Sequence, residues 1–171
     1  VLFRSKQCKG VSEQTTTGVM RLKEMVAKGQ LLKVTDETSF NKLLIAHARA
    51  HGPVGALLSV EGLHNLEGKA ENLDKLYAAG FRMAGFTHFF DNELAGSLHG
   101  VKKGGLTPLG RSVMGRMEEL GMIVDIAHCS HQCVAEILAT ARRPVVSSHG
   151  GVQAVCKVNR NLSDDEIRGV A

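Results

Sequence analysis

Four side chains able to hold a metal or move a proton stand at equivalent places along this 171-residue chain: Glu61, His88, His128 and His149. Each follows a short apolar run: Val54–Val60 before Glu61, Phe81–Thr87 up to His88, Ile123–Ala127 before His128 and Val145–Ser148 before His149. One histidine at the end of a strand is commonly a hydrogen-bonded structural residue. Four titratable groups at one recurring position are not what packing selects, because a buried ionisable group costs several kcal/mol unless it is paired or metal-bound. A carboxylate and imidazoles together form a donor set for Zn2+ or a similar ion. The predicted chemistry is that of a metal centre.

The elements around these residues account for their convergence. Between His128 and His149 lies one helix-length segment, Ser130–Ala141, and Pro144 marks the start of the next apolar run. Strand, helix and strand in that order make a βαβ unit with parallel strands, so both histidines leave the sheet at its carboxyl edge. Upstream, Gly18–Lys28 puts Val19, Leu22, Met25 and Val26 on one helical stripe with Gly29 as its stop. Thr35–Gly52 repeats the pattern with Phe40, Leu43, Leu44 and Ala48 inward, and Pro53 ends it. A third helix spans Leu66–Ala79 with Gly80 after it, and a fourth runs from the Thr107 cap and Pro108 to Leu120. Phe89–Leu106 is a long glycine-rich loop, the kind more often functional than idle. Ser163–Glu166 opens a last helix with a capping box.

Strands thus begin near residues 54, 81, 122 and 145. The fold expected is α/β, a partial (β/α) TIM-like barrel of about four parallel strands with intervening helices. A complete eight-stranded barrel takes roughly 250 residues, so the chain is expected to be an internal fragment. Residues 1–17 lack a clear period and are expected to be a poorly ordered N-terminal segment ahead of one domain, 18–171.

Composition excludes several other functions. The formal charge is +4, but residues 51–171 carry twelve Lys/Arg against thirteen Asp/Glu, so the part bearing the motifs is nearly neutral. With aromatics at 4%, no basic, aromatic-studded face for nucleic acid is expected. No apolar run approaches the roughly 20 residues of a membrane span. No signal or anchor is visible within the chain, and the working expectation for location is cytoplasmic. Cys8, Cys129, Cys133 and Cys156 form no paired framework and are expected as free thiols. His128–Cys133 (HCSHQC) lacks the second ligand pair of a zinc knuckle, and Gly104–Gly105 lacks the Lys-Ser/Thr of a phosphate loop.

Several ordered motifs resemble those of the membrane (renal) dipeptidases, zinc metallopeptidases of the amidohydrolase type on a TIM-like barrel. They are Val60-Glu61-Gly62, Thr87-His88 with Asn92, Gly105–Gly110 (GLTPLG), Asp125–His128 (DIAH), Ser148-His149 and Arg160-Asn161. The resemblance runs from about Gly18 to Ala171. It implies that Glu61 bridges two zinc ions and that His128 and His149 complete the second ion's protein ligands. It implies that His88 binds the scissile region and steadies the oxyanion, with Asn92 also at the substrate, and that Arg160 holds the substrate's terminal carboxylate. The implied reaction is hydrolysis of a dipeptide by metal-activated hydroxide, with the dipeptide as partner and homodimerisation left open. The family's His-x-Asp, which supplies the first ion's other ligands, occurs nowhere in this chain. The alternatives are a non-catalytic metal-binding remnant and another amidohydrolase, a lactonase or esterase; Arg160 argues against the latter, whose substrates need no carboxylate clamp. Among the other residues, Asp125 is expected to be a ligand's supporting partner or a buried hydrogen-bond acceptor rather than a ligand. His99, in the long loop with Asn92, is expected away from the cleft, with lining it the less favoured reading. His47, His51, His64 and His131 are expected on the surface or on helices.

Overall fold

The structure, a computed structural model, describes residues 11–48 and 52–171. The expectations for residues 1–10 and for the end of the second helix at 49–51 lie outside the described residues. The first helix, α1, spans Val11–Ala27. Gly29 follows it with a left-handed φ of 70°.

The elements that carry the site form a four-stranded parallel sheet in the order β3-β4-β5-β6. These strands are β3 (Leu58–Glu61), β4 (Phe81–Gly85), β5 (Ile123–Asp125) and β6 (Val145–Val146). Because sheet order follows chain order and every pairing is parallel, all four carboxyl ends lie on one rim. The three strand-end histidines keep one offset: His88, His128 and His149 each stand three residues beyond the last residue of β4, β5 and β6.

Two details differ from the sequence expectation. The run Val54–Val60 is not one strand, for it breaks at Leu57 into β2 (Val54–Ala56) and β3. The first piece pairs in parallel with β1 (Leu31–Lys33), a short strand that hydrophobic period does not reveal, to make a separate two-stranded sheet. The second helix, α2 (Glu37–Ala48), packs on that small sheet. Gly55 gives it a close seat, since a β-carbon there would collide with Leu43. A two-stranded sheet cannot cover the whole apolar stripe, so Phe40 and Leu44 remain 47% and 52% exposed instead of facing inward.

The core lies between the four-stranded sheet and helices α3 (Asn72–Ala79), α4 (Pro108–Leu120) and α5 (His131–Thr140). Leu66, Leu73, Phe86, Val113, Met117 and Ile137 are fully buried there. The segment expected as one helix from Leu66 is divided into a 3-10 turn, Leu63–Leu66, and α3, with Gly80 closing α3 in the left-handed conformation. Helix starts follow the side-chain chemistry. Thr107 caps α4 by accepting from Gly110 N, and its hydroxyl donates to Glu93 O at 2.6 Å, tying the helix to the long loop. Ser130 caps α5, and Ser163 with Glu166 makes a full capping box on α6 (Asp164–Val170).

The buried helix face and the half-buried cap should be separable by measurement. Met117→Ala removes a fully enclosed side chain and should cost about 3 kcal/mol, whereas Thr107→Ala should cost about 1 kcal/mol. Urea unfolding midpoints check both, and equal losses would contradict this division of the packing.

Candidate metal centre

At the carboxyl rim, three electron-pair donors meet. Glu61 Oε1 lies 2.8 Å from His128 Nε2 and 3.1 Å from His149 Nε2, and the two imidazole nitrogens are 3.0 Å apart. All three atoms lie within 4.8 Å of one another, a spacing that one cation can span. Glu61 ends β3, while His128 and His149 sit past β5 and β6, so the sheet brings together residues 67 and 88 positions apart.

Each histidine is aimed by its backbone or its neighbours. His128 adopts a left-handed φ of 66°, which β-carbon crowding makes uncommon outside glycine. Its carbonyl is held by two donors, Leu98 N at 2.9 Å and Thr87 Oγ1 at 3.1 Å. This turn folds the ring back over the strand end, where it is 6% exposed. His149 is oriented by a chain of hydrogen bonds: its Nδ1–H donates to Ser148 Oγ at 2.8 Å, and Ser148 Oγ donates to Asp125 Oδ2 at 2.5 Å. Asp125 Oδ1 also accepts from Ala127 N and Ser148 N, both at 3.0 Å. With its proton committed to Nδ1, His149 turns the Nε2 lone pair toward Glu61, the tautomer a ligand needs. Asp125 is therefore a buried hydrogen-bond acceptor that reaches His149 through Ser148. Ser148 carries the intermediate link, and its only sequence signal was its position next to His149.

His88 completes the rim. It is 1% exposed, with Nε2 at 3.6 Å from Glu61 Oε1 and its ring edge-on to His128 at 4.6 Å between centroids. Burial holds His88 below the usual imidazole range, against the pull of Glu61. Burial first, then the Arg160 charge and His88, lower His128 to about 4. A neutral imidazole is the form that binds a metal, so the donor set and its protonation both fit a divalent cation of the zinc type.

Arg160 stands beside this group. Its guanidinium donates to His149 O at 3.3 Å and packs against Gly150, where a β-carbon would come within 3.0 Å of it. The loop carrying it is held by Asn161, whose Oδ1 accepts from Gly151 N and whose Nδ2 donates to Cys156 O at 2.8 Å. Asn92, expected at the substrate, spends its amide on the backbone instead: Oδ1 accepts from Leu94 N and Ala95 N, and Nδ2 donates to Phe86 O. It shapes the start of the long loop. His99 does reach the cleft, with its ring 5.8 Å from that of His128.

Two histidines expected on the surface or on helices do lie on helices, His64 in the 3-10 turn and His131 at the start of α5. His64 is half-buried beside Gly62 and His88, and burial lowers its pKa. His131 joins α5 to α6 through Glu166 Oε1 at 2.6 Å. His47 is exposed, and His51 lies outside the described residues. Cys129, Cys133 and Cys156 are free, as expected.

Comparison with known proteins places this geometry. Residues 4–171 match the family described as membrane dipeptidase (peptidase family M19). Dipeptidase aclJ of Aspergillus oryzae is 35% identical over 128 residues, which make up 72% of this chain and 30% of that protein. The probable dipeptidase PvdM from Pseudomonas aeruginosa has a TM-score of 0.84 and 28% identity, covering 93% of this chain and 41% of that one. A metallo peptidase from Rhodobacter sphaeroides, solved with a phosphinate mimic of the dipeptide L-Ala-D-Ala, shares the fold with a TM-score of 0.81 at 20% identity, covering 98% of this chain and 48% of that one. This chain spans less than half the length of each of these relatives.

The support that Ser148 gives His149 should appear in metal affinity. Ser148→Ala should weaken metal binding by about tenfold to a hundredfold in a chelator competition, and an unchanged affinity would show the relay to be idle. Protonation should also matter without metal. The folded chain holds His64, His88 and His128 below their ordinary 6.5, so the unfolded chain binds protons first as pH falls. Stability from these groups is fully present above pH 6.5 and is lost progressively toward pH 4. A flat urea midpoint between pH 7 and pH 4.5 would rule this out.

Proposed function

Because the chain belongs to the membrane dipeptidase family, peptidase family M19, we propose that it is the zinc-binding, carboxylate-reading part of a dipeptidase. The observation that carries this reading is the meeting of Glu61, His128 and His149 on one rim with the Arg160 guanidinium beside them. Two imidazoles and a carboxylate are a zinc donor set.

When bound, zinc supplies Lewis acidity toward a carbonyl oxygen and brings the pKa of a water down toward neutrality. The chain's own residues do the rest. Glu61, His128 and His149 would hold the ion, and the Glu61 carboxylate, with two oxygens, could serve a second ion as well. His149 is kept in its ligating tautomer by Ser148 and Asp125. Arg160 grips the free carboxylate of the substrate, which a planar guanidinium does with two parallel hydrogen bonds. That grip sets how far from its carboxyl end a peptide bond can lie when it reaches the centre, which fits the single peptide bond of a dipeptide. His88, buried with Nε2 facing the same point, donates to the oxygen on which negative charge builds. Such a donor lowers the barrier more than it aids ground-state binding. The carboxylate clamp favours this reading over a lactonase or esterase.

The test combines metal analysis with a substrate panel. Purified protein should hold about one tightly bound Zn2+ per chain, lost in His128→Ala, and any hydrolysis should favour free dipeptides over N-blocked esters and lactones. Arg160→Ala should remove that preference. Protein that takes up no zinc under any loading condition would refute the assignment.

A further inference from the structure

Resting on the dipeptidase reading, we propose that Phe89, with His99 beside it, forms a subsite for an apolar side chain of the dipeptide. Phe89 is 41% exposed although it directly follows the buried His88. Its ring centroid lies 4.2 Å from that of His88, 5.3 Å from that of His99 and 5.8 Å from that of His128. It therefore touches the rim at the residues that face the reacting bond, and it offers them an apolar wall.

The wall is held still. Ser97 Oγ donates to His88 O and accepts from His99 N at 3.1 Å, so one hydroxyl links the two residues on either side of Phe89's cleft face. Asp91 accepts from Ser97 N at 2.8 Å and from Lys102 N at 2.7 Å, folding the loop on itself. Gly100 lies so close to the Asp91 carboxylate that a β-carbon there would collide with it. Ser97 also pairs with Cys129 as an antiparallel bridge, which fixes the loop to the turn carrying His128. A loop clamped at so many points is a rigid scaffold for the aromatic ring it presents.

The part of the Phe89 ring left in water gains free energy when an apolar group covers it. The occupant must be small, because a macromolecule seated within 5.8 Å of the His128 ring would also cover the centre. The apolar side chain of a bound dipeptide meets both conditions. Its contact with Phe89 sets a preference for bulky aliphatic or aromatic residues over alanine or glycine.

Two phosphinate dipeptide analogues with the same backbone, one bearing methyl and one isobutyl side chains, test this on the zinc-loaded full chain by calorimetry. The wild type should bind the isobutyl compound more tightly. Phe89→Ala should shrink that ratio by about tenfold, the lower end of what a hydrophobic pocket discriminates, while Phe89→Leu should retain most of it. If Phe89→Ala weakens both analogues equally, Phe89 only buttresses His88 and the subsite is overturned. If the wild type binds neither analogue, the dipeptidase reading falls and this inference falls with it.

Discussion

Three side chains with metal-ligating atoms, brought within about 3 Å of one another, are the constraint on which the rest of the structure turns. Such a cluster suits the ligands of a cation. Everything around it serves to keep it in place. The parallel sheet delivers the residues to one rim, the left-handed turn at His128 folds its ring inward, and the Asp125–Ser148 chain fixes the proton on His149. The fold accepts uncommon local geometry there, and the buried sheet beneath holds it.

The long segment between β4 and α4 plays the second part. It has no helix or strand of its own, yet it is tied at both ends and in the middle. Asn92 shapes its start, Asp91 folds it on itself, and bridges pair Ala95 with Leu106 and Ser97 with Cys129. Ser130 caps α5 and donates from the same hydroxyl to Gly104 O, so the helix following His128 and the loop following His88 share one anchor. Preorganisation of this kind keeps side chains within reach of a reacting bond without an ordering cost at binding.

The peripheral layer behaves differently. The two-stranded sheet and α2 leave Phe40, Leu44 and Ile45 largely in water, while the four-stranded sheet and its helices bury a continuous core. The site belongs wholly to the second group, on the part of the chain where backbone positions are best determined by packing.

Much of this was legible in the sequence. The apolar runs, the strand-end residues Glu61, His88, His128 and His149, the Thr107-Pro108 helix start, Gly80 and the Ser163–Glu166 box are local patterns. Each is set by interactions within a few residues, so period and side-chain type suffice to read them. Four things needed tertiary structure. Leu57 divides one apolar run between two sheets, because strand partners and not composition decide where a strand ends. Phe40 and Leu44 stay exposed because their stripe has too little sheet to cover. Asn92 turns to the backbone because a nearby carbonyl and two amides lie within its reach. Ser148 joins Asp125 to His149 across 23 residues, a distance no local pattern spans. The sequence by itself determined which titratable residues stand at the strand ends and on which rim they emerge, since parallel strands leave no other choice. Only the folded chain decided which of them touch, because contact depends on strand order, turn geometry and hydrogen bonds made far along the chain.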